Sequence, residues 1–333
     1  MVVRYSLIDF TIKRRCVLAL RKALCFPRAV LSLVFLFACI NSYSNKLNHA
    51  LFILSKDTPD YRRVVNLITT DWEQSKNYTY VVLIQSEDTE IDRLLKASDI
   101  VITLGTSAAN TVLTKKITQP VISTLITQSA FNSLAEKYYG DVSKAIALGV
   151  NPIVLDQPFE RHLNLTRQLL KNVTDVGVML GPSAAKNHSA YTLSIEERNL
   201  KPKILLIDPD KNPIRQLDPV VKISDVFIPV ADSHLINVTT AKWILQLAYR
   251  YRIPVIGYSA NYVAAGALAS VYSSPEDVSK QTLDLVESLL AEGYKNQVHF
   301  PQYCTVTFNK TVAWHLNLTI PDGLEKNTGR CNL

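Results

Sequence analysis

The sequence predicts an α/β protein of two lobes, each built around a mostly parallel sheet. From Ala50 onward, short apolar runs alternate with amphipathic stretches at intervals of roughly 20 to 30 residues, which is typical of βαβ units. Two prolines interrupt this pattern within residues 151–158, where they exclude regular helix and predict a crossover. The chain has 333 residues, 47% of them apolar and 20% charged, which suffices for two domains of ordinary size.

The apolar runs divide into two series of predicted strands. The first series comprises residues 50–54, 80–84 and 99–104, with weaker runs at 120–124 and 145–149. The second series comprises residues 176–180, 203–207, 226–230 and 254–258. Runs of this length, separated by helical patterns, indicate buried strands of a parallel sheet.

One helix signal stands out near the C-terminus. Ser274 is a suitable N-cap, Pro275 suits the first helical position, and Asp277 is an acid at the third. The apolar stripe that follows has helical spacing up to Gly293 and predicts core packing: Val278, Thr282, Leu285, Val286 and Leu289.

The positive charge of the chain is concentrated at its N-terminus. Of the formal net charge of +7, residues 1–44 carry +6 and the remaining residues +1. The folded part therefore lacks the basic surface that nucleic acid would require. A basic stretch precedes a mainly apolar run of twelve residues at 29–40, and a helix of that length, about 18 Å, is too short for a bilayer core of about 30 Å.

This arrangement predicts a cleaved signal peptide, residues 1–44, and export to the periplasm or the medium. The cut is expected after Ser44, since Ser42 and Ser44 are small. One alternative is a lipoprotein in which Cys39 is lipidated, although the bulky Phe37 argues against it. The other alternative is an uncleaved signal anchor, because the basic segment is long.

The remaining motifs exclude most catalytic and metal chemistry. The glycines form no dinucleotide, phosphate-loop or nucleophile-elbow motif, so no cofactor is expected, and the six histidines are scattered without metal-ligand spacing. Cys304 and Cys331 are the two cysteines that follow the signal peptide. In an oxidising compartment they could form a disulfide, and the alternative is two free thiols.

Candidate ligand-binding residues lie where the predicted strands end, since ligands of doubly wound α/β lobes collect at that edge. Gly105, Thr106 and Ser107 follow a strand and begin a helix, an arrangement that suits a carboxylate or another small anion. The alternative is that Thr106 or Ser107 only caps its own helix.

The other candidates follow four further strands: Ser55, Ser183, Asp232, Ser259 and Asn261. Asp232 could accept a hydrogen bond from an ammonium or hydroxyl group of a ligand. It could equally cap the helix that follows it. A weaker possibility is a hydrolase that uses Asp232 as a base.

Five segments carry a resemblance to a known family. They are VFIPVADS at 226–233, IPVIGYS at 253–259, YVAAGALAS at 262–270, SPED at 274–277 and LTIP at 318–321. In order and spacing the chain resembles, from about residue 50 to 322, the bacterial extracytoplasmic solute-binding proteins of ABC transporters, in the branch that includes tryptophan- and tyrosine-binding members. The sequence departs from the family's pattern at 54–57 and 122–126.

The resemblance implies a type I periplasmic-binding-protein-like fold, in which two Rossmann-like lobes close on a small molecule about a hinge. Lobe 1 is expected at 45–152, with part of 260–300 returning to it, and lobe 2 at 153–259. Residues 300–333 would pack across both. The implied function is a monomeric, non-enzymatic protein that binds an amino acid or small carboxylate and delivers it to a membrane permease. The alternative is a sensor subunit that signals to a membrane kinase or cyclase.

Overall fold

The computed structural model describes residues 48–75, 78–84, 90–182, 184–208, 210–231, 238–292, 297–324, 328–331 and 333. The predicted signal peptide, Cys39, Ser183 and Asp232 lie outside the described residues.

The first sheet has five parallel strands in the order β2-β1-β3-β4-β5. The strands are β1 (Asn48–Leu54), β2 (Tyr78–Ile84), β3 (Ile100–Leu104), β4 (Val121–Ile126) and β5 (Val150–Val154). The helices that connect them are α1 (Pro59–Ser75), α2 (Glu90–Ala97), α3 (Thr106–Leu113), α4 (Gln128–Tyr139) and α5 (Val142–Ala147). The central strands β1 and β3 are buried on both faces, as a sheet covered by helices requires.

The second sheet is assembled from two hydrogen-bonded groups, in the orders β7-β6-β8 and β12-β11-β10-β9. A parallel bridge between Phe227 and Val255 joins them. The strands are β6 (Asp175–Leu180), β7 (Lys201–Leu206), β8 (Val226–Pro229), β9 (Ile256–Gly257), β10 (Ala269–Tyr272), β11 (Tyr303–Phe308) and β12 (Thr328–Arg330). Strands β6 to β10 are parallel where they pair, and β11 and β12 complete the edge in antiparallel fashion.

The helices after β5 surround this second sheet, with one exception. They are α6 (Phe159–Leu169), α7 (His188–Glu196), α8 (Pro213–Lys222), α9 (Val238–Tyr251), α10 (Ala260–Ala264), α11 (Pro275–Glu292) and α12 (Lys310–His315). Helix α11 returns to the first sheet, where Val278 and Val286 pack in one core cluster with Phe52 and Ile68. His299 also returns, since it forms a parallel bridge with Ile153 of β5.

The chain therefore passes between the two sheets three times. We call residues 155–158, 273–274 and 300–302 the three crossings. Hydrogen bonds tie them together: the Gln157 side chain donates to Ser273 Oγ at 2.9 Å, and Arg161 donates both to the Gln157 side chain and to the carbonyl of Pro301. The lobe limits predicted at residues 152 and 259 stay predictions.

The predicted start of α11 and its buried stripe are confirmed. Ser274 Oγ accepts a hydrogen bond from the Asp277 amide, and the Asp277 carboxylate accepts one from the Ser274 amide, which is a reciprocal capping box. All five residues of the stripe are buried, with exposures between 0% and 8%.

The prediction of a strand at 145–149 is wrong. Residues 142–147 form helix α5, whose N-cap Asp141 accepts a hydrogen bond from the Lys144 amide, and the strand follows at 150–154. A short apolar run has no periodicity that separates a buried strand from a buried helix. Asn151 and Pro152 consequently belong to β5, and the crossover begins later than predicted, at Leu155.

The C-terminal part of the chain is tied to the second sheet by a disulfide between Cys304 and Cys331, which are 27 residues apart with their Cα atoms 5.1 Å from each other. Cys304 lies in β11 and is 3% exposed, and Cys331 directly follows β12. Within the described parts of the chain, none of the helices combines the length and hydropathy needed to cross a membrane.

Candidate functional site

A cavity of about 710 Å³ lies between the two sheets, and two of the three crossings contribute to its lining. Its volume is within the range of small-molecule sites, which is roughly 300 to 1,000 Å³. Both sheets contribute to its walls at the carboxyl ends of their strands: residues 125 and 127 follow or end β4, residues 228–231 end β8, and residues 258–261 follow β9. This is the edge at which open α/β sheets bind ligands.

The wall on the side of the first sheet contains an irregular strand end. The pairing of β4 with β5 shifts register between Ser123 and Ile126, and Leu125 has a positive φ of 53°. Such a bulge redirects side chains, and a left-handed conformation is unfavourable for a residue with a branched side chain. Leu125 lines the cavity together with Tyr61 of α1 and Thr127. The sequence departure at 122–126 thus coincides with a part of the cavity wall.

Asp156 lies in the first crossing and lines the cavity. One of its carboxylate oxygens accepts a hydrogen bond from the Gln128 amide at 2.6 Å, at the N-terminus of α4. Burial raises the pKa of Asp156, an effect that the hydrogen bond from Gln128 opposes only in part. The side chain forms no ion pair with any described residue.

The wall on the side of the second sheet is mainly aromatic. Phe159 and Tyr191 meet edge to face, with ring centroids 4.9 Å apart, and Tyr258 packs against Tyr262 at 5.0 Å. Phe159, Tyr191 and Tyr258 line the cavity, and burial raises the pKa of Tyr258 so that its phenol stays protonated. Such a wall offers an apolar surface with polar edges.

His162 of α6 also lines the cavity and is 6% exposed. Its Nδ1 has no hydrogen-bond partner of normal geometry among the described residues. Burial lowers the pKa of His162 to about 4, although the backbone of Pro158 opposes the shift. The imidazole is therefore neutral at pH 7.

The buried imidazole should make the protein sensitive to acid. Because the pKa of His162 is lower in the folded state than its usual 6.5, the unfolded chain binds more protons between pH 6.5 and 4. The contribution to stability is complete above pH 6.5 and is lost as the pH falls. At pH 5 we expect a loss of about 2 kcal/mol in the free energy of unfolding relative to pH 7.5.

Urea titrations at the two pH values measure this loss. His162→Gln removes the titrating group and keeps a polar side chain. In this variant, the difference in the free energy of unfolding between pH 7.5 and pH 5 should be smaller by the same amount. Equal pH dependence in both proteins would contradict the assignment.

The structure places the predicted ligand-binding residues in two groups. Ser259 and Asn261 line the cavity, and Ser259 Oγ also accepts a hydrogen bond from the Tyr262 amide as the N-cap of α10. Ser55, Gly105, Thr106 and Ser107 are not among its lining residues. They lie at the ends of β1 and β3, where Ser55 Oγ accepts a hydrogen bond from the Ala108 amide. A ligand-binding role for either group stays a prediction.

Sequence reasoning missed most of the lining side chains, including Tyr61, Asp156, Phe159, His162 and Tyr191. Three of these surround Pro158 in the first crossing, so the polar and aromatic residues beside the predicted crossover were the available signal. As for metals, no group of three His, Cys, Asp or Glu side chains that could hold an ion occurs in the described residues.

Comparison with known proteins gives one family match. The family described as "ABC transporter substrate binding protein" matches residues 84–331. No curated protein sequence matches the chain.

Several solved structures are similar in fold. A conserved domain protein from Vibrio cholerae has a TM-score of 0.56 and 19% identity, with 85% of this chain and 99% of that chain covered. An ABC domain in complex with L-Trp from Streptococcus pneumoniae has a TM-score of 0.56 and 16% identity, over 84% and 98% of the chains. A ligand-free, open substrate-binding protein with adhesive properties from Clostridium difficile has a TM-score of 0.65 and 14% identity, over 85% and 98%. At these identities the similarity concerns the fold.

Proposed function

The chain belongs to the family of ABC transporter substrate-binding proteins, and on this basis we propose that it binds a small polar molecule between its two lobes and delivers it to the permease of an ABC importer. The fold is of the type I periplasmic-binding-protein kind, with two parallel α/β lobes. The observation that carries the proposal is the cavity, because both sheets and two of the three crossings contribute to its walls.

This arrangement of two lobes and three crossings allows the lobes to close on a ligand. A rotation of one lobe against the other needs dihedral changes only in the crossings, while each sheet moves as a rigid body. A ligand in contact with both walls stabilises the closed arrangement by its differential affinity, and the closed surface is what a membrane partner would recognise. Binding without conversion is proposed, since the family consists of substrate-binding proteins.

Export to the periplasm as a monomer is part of the proposal. The family is extracytoplasmic, and residues 1–44 have the pattern of a cleaved signal peptide. The disulfide between Cys304 and Cys331 agrees with an oxidising compartment. Lipidation of Cys39 would instead tether the same protein to a membrane.

The ligand class expected from the sequence is an amino acid or a small carboxylate. A sensor subunit that couples closure to a membrane kinase or cyclase is the alternative function. Uptake of a labelled ligand by cells with and without the protein distinguishes a transport component from a sensor subunit. Uptake should fall on removal of the protein only if the protein is a transport component.

Ligand binding at the cavity should depend on its aromatic wall. A ligand at one hundred times its Kd adds about 2.7 kcal/mol to the free energy of unfolding, which raises Tm by roughly 5 to 10 °C for lobes of this size. Tyr258→Ala should lower the affinity at least about tenfold, which is a loss of about 1.4 kcal/mol.

Tyr249→Ala is the matched control, because Tyr249 is 80% exposed on α9 and is not among the residues that line the cavity. A thermal-shift screen of amino acids, small carboxylates and sugars, followed by titration of both variants, tests the proposal. Equal affinity of the two variants would place binding elsewhere. A folded protein that responds to no compound would contradict the binding function.

A further inference from the structure

The charged side chains among the described lining residues of the cavity are acidic. Its lining residues include three acids, Asp60, Asp156 and Glu276, and among the described lining residues there is no lysine or arginine. Residues 232–237, which follow the lining residue Ala231 in the chain, have the sequence DSHLIN and also contain no lysine or arginine. A buried carboxylate of a ligand would therefore lack a cationic partner in this part of the chain.

Arg63 and Arg161 each have partners within the protein. Arg63 forms an ion pair with Glu276 at 2.9 Å. Arg161 donates to the Gln157 side chain and to the carbonyl of Pro301 within the crossings. Neither arginine lines the cavity.

Two helix N-termini at the cavity are already capped. At α4, Thr127 Oγ1 accepts from the Ala130 amide, and Asp156 accepts from the Gln128 amide. At α11, Ser274 Oγ accepts from the Asp277 amide. At these two helix ends, backbone donors that commonly bind a ligand carboxylate are bonded to side chains of the protein itself.

Asp156 is the acid with the strongest need for a partner. Glu276 is paired with Arg63 and exposed, and Asp60 is exposed in the first turn of α1. Asp156 is half-buried, has no ion pair among the described residues, and its pKa is raised by burial. A cation placed against it would compensate the desolvation of the carboxylate.

The opposite wall suits the rest of such a ligand. Phe159, Tyr191 and Tyr258 supply aromatic faces, which bury apolar groups and attract cations. The neutral imidazole of His162 lies in the same wall and adds no positive charge to it.

We propose that the cavity recognises an organic ammonium ligand with an apolar body the size of an aromatic ring, whose cationic nitrogen binds the carboxylate of Asp156. A carboxylate on the ligand is not required. This inference rests on the proposed binding function and specifies its ligand class, where the sequence predicts an amino acid or a small carboxylate.

Four probes with the same ring and different charge test the ligand class: 2-phenylethylamine, phenylalanine, 3-phenylpropionate and 2-phenylethanol. Calorimetric titration of the purified protein should give the amine an affinity at least about 30-fold above that of the anion or the alcohol, the range expected of a charge-assisted hydrogen bond. Phenylalanine, which has the same ammonium, should bind within about tenfold of the amine if its carboxylate reaches solvent.

The variant Asp156→Asn keeps an acceptor for the Gln128 amide and removes the charge, so it should abolish the preference for the amine. Asp71→Asn is the matched control, since it neutralises an exposed acid of α1 that does not line the cavity and should change affinity less than about threefold. Circular dichroism and Tm verify that both variants are folded.

Each result has one meaning. A preference for the amine that is lost in Asp156→Asn and kept in Asp71→Asn supports the inference. Tighter binding of the anion, binding that is unaffected by Asp156→Asn, or binding of neutral sugars instead of all four probes overturns it and leaves the binding function standing. A folded protein that binds none of the probes, sugars, amino acids or carboxylates overturns both.

Discussion

Gly105→Ala should destabilise the protein by about 4 kcal/mol, the largest effect expected of a single substitution here. Gly105 precedes α3 with φ 90° and ψ 166°, a backbone region that is open almost only to glycine. A Cβ atom at this position would overlap the hydroxyl of Tyr61 and lie 2.7 Å from Ser55 Oγ. The backbone strain and the overlap each add about 1 to 3 kcal/mol.

Ligand affinity should fall together with stability, because Tyr61 lines the cavity and its hydroxyl must move to make room for the Cβ atom. Gly140→Ala is the matched control: Gly140 has a similar φ of 88° at the C-terminus of α4, and a Cβ there would meet only the flexible end of Lys144 at 3.6 Å. We expect that variant to lose about 1 kcal/mol and to bind normally. Equal losses in the two variants, measured by urea unfolding, would contradict the packing argument.

Removal of the disulfide should lower the free energy of unfolding by roughly 3.5 kcal/mol. The bond closes a loop of 27 residues. The loop-entropy relation gives this value for the conformational entropy that the cross-link removes from the unfolded chain. The loss of stability should be largest at the edge of the second sheet, because β12 has three residues and pairs with β11 only. Hydrogen exchange at the Cys331 amide, which donates to the carbonyl of Gln302, should increase.

The paired variant Cys304→Ala/Cys331→Ala and the native protein in reductant should lose similar stability, since both lack the cross-link. Reductant should have no effect on the paired variant, which controls for other actions of the reagent. An unchanged urea midpoint on reduction would show that the tail is held by packing alone.

The sequence was informative wherever a pattern was long or chemically specific. The cap and stripe of α11 identify both its start and its buried face, because a capping box and an eighteen-residue helix leave few alternatives. Strands β1, β3 and β6 were predicted to within two residues at each end, since continuous apolar runs bounded by polar residues are typical of parallel strands. The run at 145–149 failed because five apolar residues fit a strand or a buried helix equally well.

The candidate site was harder to predict. Ser259 and Asn261 were found by the rule that ligands gather at strand ends, and Asp156, His162 and Phe159 were missed by the same rule. These three lie in or beside the first crossing, where neither periodicity nor a catalytic motif marks a functional side chain. What brings them to the cavity is the meeting of two sheets that are far apart in sequence.

Because α11 returns to the first sheet, this sheet cannot complete its core when its own strands have been synthesised, and must wait for a later part of the chain. The core around Phe52 needs Val278, Leu285, Val286 and Leu289, which follow the end of β5 by about 120 residues or more. Until those residues have been synthesised, one apolar face of an otherwise finished sheet stays uncovered and prone to aggregate. The N-terminal half therefore depends on the C-terminal half for its completion, and long-range contacts of this kind make folding slow.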